Sequence, residues 1–159
     1  MSRIVIIGIG NVLFGDDGVG VHVLNRLRSE KLPENIELVE GGVGGLSLLN
    51  YVRGMDYCIF IDAVSGAKPG RIHRFTEEDL DTKVKTMLHP ASLHDMGLTE
   101  TIKIGKAVHP NEMPKKIIIY GIEVKEPKEY STELSKEVAE SVGKATKLII
   151  KELEVKRDQ

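Results

Sequence analysis

Short apolar runs alternate with amphipathic ones along the whole chain. Ile4-Val5-Ile6-Ile7 is continuous and β-branched, the signature of a strand covered on both faces. Residues 18–30 follow, with Val19, Val23 and Leu27 spaced four apart as one stripe of a helix. Residues 36–40 read as a second strand, 46–53 as a short helix, and 57–61 as a third strand ending at Asp62. The turn-rich link 65–70 leads into 71–75, where alternation predicts a more exposed strand, and so short a connection predicts an antiparallel hairpin. A polar stretch over 76–90 precedes a helix over 91–106, and Ile117-Ile118-Ile119-Tyr120 supplies a fifth strand. Ser131 or Thr132 can cap a last helix whose stripe holds Leu134, Val138, Val142, Ala145, Ile149 and Leu153.

The order β-α-β-α-β-β-α-β-α predicts an α/β fold: a mixed, mainly parallel five-stranded sheet with helices on both faces. One domain over 1–159 suits this length. In such sheets ligands bind beyond the carboxyl ends of the strands, which says where to search for chemistry.

Composition narrows the classes. Hydrophobic residues make up 41% and charged residues 29% of the chain, ordinary globular values that argue against disorder. Lys plus Arg number 22 against 24 Asp plus Glu, for a net charge of −2, so there is no basic excess to attract nucleic acid. Cys58 is the only cysteine, which excludes an intrachain disulfide and Cys-rich metal clusters and makes a reducing, cytoplasmic setting the expectation. No run approaches the roughly eighteen apolar residues of a membrane helix. Gly8, Gly10 and Asn11 interrupt the N-terminal run and Asp16-Asp17 closes it, which fits a strand and loop rather than a signal peptide. Balanced charge and 4% aromatic content give no sign of a large sticky interface, so a monomer is expected.

The first strand exits into a glycine-rich loop, but not into one that cradles phosphate. A dinucleotide fingerprint requires glycine where Leu13 stands, and a phosphate loop requires lysine where Asp16 stands. Asp16 and Asp17 would repel a phosphate; they suit a cation or a proton-transfer role. An aspartate at a helix start is commonly only a cap, yet both are not needed to cap one helix. Asp62, expected directly after the third strand, faces the same edge of the sheet; alone it could simply accept N–H bonds in a turn. Of five histidines, His22, His73 and His109 read as surface or packing residues, while His89 and His94 lie just before or within the start of the third helix. Two carboxylates and one imidazole form an O₂N donor set suited to a divalent first-row ion.

The segment Ile7-Gly8-Ile9-Gly10-Asn11-Val12-Leu13-Phe14-Gly15-Asp16-Asp17-Gly18-Val19-Gly20 resembles the opening motif of the [NiFe]-hydrogenase maturation proteases. Glu40-Gly41-Gly42 with Gly45 and Leu46, then Asp62-Ala63, then His94-Asp95-Met96-Gly97-Leu98 match in the same order. The resemblance implies a three-layer α/β/α sandwich around a twisted sheet. It also implies an endopeptidase that removes a C-terminal extension from the hydrogenase large-subunit precursor once nickel is in place. It places nickel contacts on Asp17, Asp62 and His94, choosing His94 over His89, and implies that the Asp16–Gly20 stretch matters for activity. The nickel would arrive with the substrate, with no tight binding to the free enzyme expected. Many relatives carry Glu where this chain has Asp17, shorter by one methylene, and Asp16 could compensate.

Water activation could fall to the metal as Lewis acid or to Asp16 or Asp17 as general base. No G-x-S-x-G motif is present and Cys58 lies inside a strand, which argues against an acyl-enzyme route. A nickel-dependent binding module or chaperone for the large subunit would use the same three residues without cutting. A nucleotide-binding regulator is a third class, disfavoured by the loop's charge and spacing.

Overall fold

The computed structural model describes residues 2–84 and 97–157. In chain order the elements are β1 (Ile4–Gly8), α1 (Val19–Arg28), β2 (Ile36–Glu40), α2 (Leu49–Val52), β3 (Tyr57–Ser65), β4 (Ile72–Thr76), α3 (Leu98–Val108), β5 (Lys116–Val124) and α4 (Lys136–Arg157). The strands form one five-stranded sheet in the order β2-β1-β3-β5-β4. β1, β2, β3 and β5 run parallel; β4 runs antiparallel to β5. The expected mixed, mainly parallel sheet is present.

The hairpin is not formed by β3 and β4, however, because β5 lies between them. Burial explains its place: from Ile117 to Val124 every residue of β5 is buried, and a strand so uniformly buried needs partners on both edges. β4 is half-exposed and takes the outer edge. β3 also runs farther than the pattern suggested, pairing with β5 through Ser65↔Val124. Asp62 therefore stands within the strand, opposite Gly121, and not after it.

Alternation along the strands divides the core into two layers. Ile4 and Ile6 of β1, Ile59 and Ile61 of β3, and Ile118, Tyr120 and Ile122 of β5 pack with Val23, Leu24 and Leu27 of α1 and with Val138, Ala145, Ile149 and Leu153 of α4. Val5, Ile7, Cys58, Phe60 and Ile117 turn the other way, toward Val52 of α2 and Leu98 and Ile102 of α3. Each side chain removed from water contributes about 1.5–3 kcal/mol, so the two layers hold the strand ends firmly in place. Cys58, the second residue of β3, is wholly buried, and burial pushes its thiol well above the usual range.

The last helix begins later than expected. Ser131 is not its cap: its Oγ accepts from the Glu133 N–H at 3.1 Å in a local turn. α4 starts at Lys136, and the carbonyl of Ser135 accepts the first helical hydrogen bond from Ala139 N at 2.8 Å. Ser135 thus occupies the capping position.

Candidate active site at the carboxyl rim of the sheet

β1 ends at Gly8, opposite Ile61 of the longer β3, and the loop after β1 runs on between β3 and the loop after β2. Ile9 N donates to Ile61 O at 2.8 Å, and Gly10 N donates to Gly42 O at 2.8 Å, fastening this loop to β3 on one side and to the loop after β2 on the other. Gly10 has φ +143, and a Cβ there would collide with the carbonyl of Asp17. The chain folds back on itself here because position 10 has no side chain.

The acidic pair sits in a tight 3₁₀ turn, Gly15–Gly18, that runs into α1. Neither aspartate caps that helix, whose capping position is Gly18 and receives no side-chain hydrogen bond. Asp17 is half-buried, and its Oδ2 accepts from Asn11 N at 3.0 Å, closing the loop upon itself. Asp16 turns away: its Oδ1 accepts from Ser135 N at 2.7 Å and its Oδ2 from Ser135 Oγ at 2.8 Å.

Asp62, half-buried, lies between Ile61 and Ala63, which face α1 and α4, so its side chain stands on the opposite face, where α2 and α3 pack. Its Oδ1 accepts from Ala63 N at 2.8 Å. Burial raises the carboxyl most; the Ala63 N–H opposes that, the charge of Asp17 adds to it, and the result is a pKa of about 8. Asp17 and Asp62 are therefore electrically coupled across the rim, at the location the strand-end rule indicates.

His89 and His94 lie outside the described residues. Among the described residues no group of three or more His, Cys, Asp or Glu side chains is placed to hold a metal ion. Asp17 and Asp62 are the carboxylates of the proposed donor set that the described structure brings into electrostatic contact.

One polar arrangement near the rim escaped the sequence reading. His73, read above as a surface or packing residue, is half-buried, with its Nε2 2.6 Å from Oε1 of the buried Glu123. Lys68 N donates to Glu123 Oε2 at 2.9 Å, and a Cβ on Gly66 would strike the same carboxylate. Burial pushes Glu123 upward, but the hydrogen bond from His73, that from Lys68 N and the charges of His73 and Arg71 outweigh it and hold the carboxyl below the usual range. Glu123 so organises the link that follows β3. An acidic residue within the buried stretch Ile117–Val124 was the available signal.

Comparison with known proteins agrees with this architecture. Residues 21–152 match the model of the hydrogenase maturation protease family HycI. The hydrogenase expression/formation protein HupD of Bradyrhizobium diazoefficiens is 30% identical over 146 residues, covering 89% of this chain and 73% of that protein. The hydrogenase maturating endopeptidase HybD from Escherichia coli superposes with a TM-score of 0.82 at 25% identity, covering 97% of this chain and 93% of that one. The [NiFe] hydrogenase maturation protease HybD from Thermococcus kodakarensis gives 0.74 at 27% identity, with 94% and 97% covered. Fold and relatives define the class as endopeptidase, a hydrolase of peptide bonds. The chain belongs to the hydrogenase maturation protease family. Among the described residues no helix is long and apolar enough to cross a membrane.

Proposed function

We propose that this endopeptidase removes the C-terminal extension of a [NiFe]-hydrogenase large-subunit precursor after nickel insertion, and that it recognises the nickel carried by that substrate. The supporting observation is the coupling of Asp17 and Asp62 at the carboxyl rim. The charge of Asp17 helps to raise the Asp62 carboxyl, and a cation brought between the two relieves that repulsion. Asp17, Asp62 and His94 would complete the coordination shell of the substrate's metal, so a precursor without nickel offers little binding free energy. Metal loading is then sensed through differential affinity. Hydrolysis follows with the water activated by the substrate's metal or by an aspartate of the first loop, Asp16 or Asp17. The enzyme works as a one-domain monomer in the cytoplasm, on a protein substrate and without nucleic acid.

The test is to incubate the purified protein with purified large-subunit precursor, nickel-loaded or nickel-free, and to follow the mobility shift and the released peptide. Cleavage of the loaded form alone is expected. Tight binding of the loaded form without cleavage would instead assign a nickel-dependent binding module or chaperone.

A further inference from the structure

We infer that Ser135 is a positioning residue for the acidic loop and that Asp16 acts through it, leaving Asp17 as the aspartate of the pair that meets the substrate; this rests on the proteolytic reading above. The two adjacent carboxylates are used in opposite directions. Both oxygens of Asp16 accept hydrogen bonds from one residue 119 positions away, the backbone N–H and hydroxyl of Ser135.

The reason lies in how α4 begins. A helix start with serine at the capping position is commonly completed by Glu or Gln three places later, whose side chain accepts the N–H of the cap. Here that third place is Val138, fully buried in the core, with no acceptor to offer. Asp16 supplies the missing carboxylate from the first loop. It satisfies the N–H of the cap of a 22-residue helix and places negative charge at that helix's positive end.

The join is reinforced on either side. Gly15 N donates to Ser131 O at 2.8 Å and Ser131 N to Leu13 O at 2.9 Å, a short parallel bridge between Phe14 and Ser131. The Phe14 and Tyr130 rings lie 5.4 Å apart. Asp17 is held from the inner side by Asn11 N and by its own N–H, which donates to Phe14 O at 3.1 Å. The turn carrying Asp17 is thus gripped between the sheet and the start of α4, and Ser135 is the outer anchor. Catalysis by held groups depends on such placement, since small displacements of a reacting group cost large factors in rate.

The experiment uses the full chain and nickel-loaded precursor, comparing Ser135→Ala, Ser135→Thr, Asp16→Asn and the double variant Asp16→Asn/Ser135→Ala. Ser135→Ala is expected to lower kcat about tenfold with KM held within about twofold, and Ser135→Thr, which restores the hydroxyl, to recover most of the loss. Asp16→Asn, which weakens both bonds to Ser135, should be no milder than Ser135→Ala, which removes only the hydroxyl bond, and the double variant should be little worse than Asp16→Asn alone. Amide hydrogen exchange on the free protein should show Gly15 and Asp17 opening faster in Ser135→Ala while β1 and β3 stay protected. Wild-type cleavage in Ser135→Ala with unchanged exchange at Gly15 and Asp17 overturns the inference. So does a double variant whose losses multiply, since that gives Asp16 chemistry of its own. If the wild-type chain leaves loaded precursor intact, the proteolytic reading fails, while the exchange measurement still decides whether Ser135 holds the loop.

Discussion

Gly20 rests against the carbonyl of Ile61: a Cβ at position 20 would lie 2.5 Å from Ile9 O and nearer still to Ile61 O. Both obstacles are backbone, and both belong to the hydrogen-bonded junction that sets the first loop beside β3. Gly20→Ala is expected to destabilise by roughly 3 kcal/mol, lowering Tm by about 6–12 °C. Thermal unfolding by circular dichroism checks it; an unchanged Tm would mean the junction yields.

Asp62→Asn carries a pH signature. The native carboxyl, near 8, lies above its ordinary value of 3.8, so between those limits the folded state holds a proton the unfolded state has lost. That contribution is complete below about pH 4 and disappears as pH rises through 8. Asp62→Asn removes the slope. Its Tm should equal wild type near pH 4 and exceed it by several degrees at pH 8. Processing by wild type should rise with pH toward 8 as the carboxyl ionises, whereas the Asn variant should be inactive throughout.

Asp17→Asn keeps an acceptor for Asn11 N and should fold normally. Precursor processing should fall by about a hundredfold or more. His94→Ala should match it and His89→Ala should be far milder. Rates measured on loaded precursor decide the order, and full activity in both Asp17→Asn and Asp62→Asn would remove the metal-contact assignment.

Glu123→Ala leaves His73 Nε2 and Lys68 N without their acceptor. A loss of about 2–3 kcal/mol at neutral pH is expected from urea unfolding. Because the native carboxyl titrates below its ordinary value, its stabilisation is present above pH 4.5 and fades as pH falls through the lowered value. The difference between wild type and variant should narrow in acid.

Much of the architecture was legible in local pattern. Uninterrupted β-branched runs at Ile4 to Ile7 and Ile117 to Ile119 mark strands buried on both faces, and the alternation of strands with amphipathic stretches implies parallel pairing. Local pattern has no access to lateral order. Nothing in residues 71–75 says that β5 will stand between β3 and β4; that follows from competition among strands for the buried centre. The same limit applies to the site. Asp16, Asp17 and Asp62 were identifiable as acids near strand ends, but their division of labour was not. Ser131 and Thr132 looked like caps because serine and threonine favour that role anywhere. Ser135 becomes the cap because Asp16 meets it from the far end of the chain. The pair of half-buried His73 and buried Glu123 likewise joins residues 50 apart.

The burial of Cys58 has a practical consequence. Alkylating reagents attack thiolates, and this thiol is both sealed in the core layer beneath α2 and α3 and held in its protonated form. Iodoacetamide or a maleimide can therefore be added to native enzyme to quench or label the cysteines of a client protein, and the catalyst in the same tube survives unmarked.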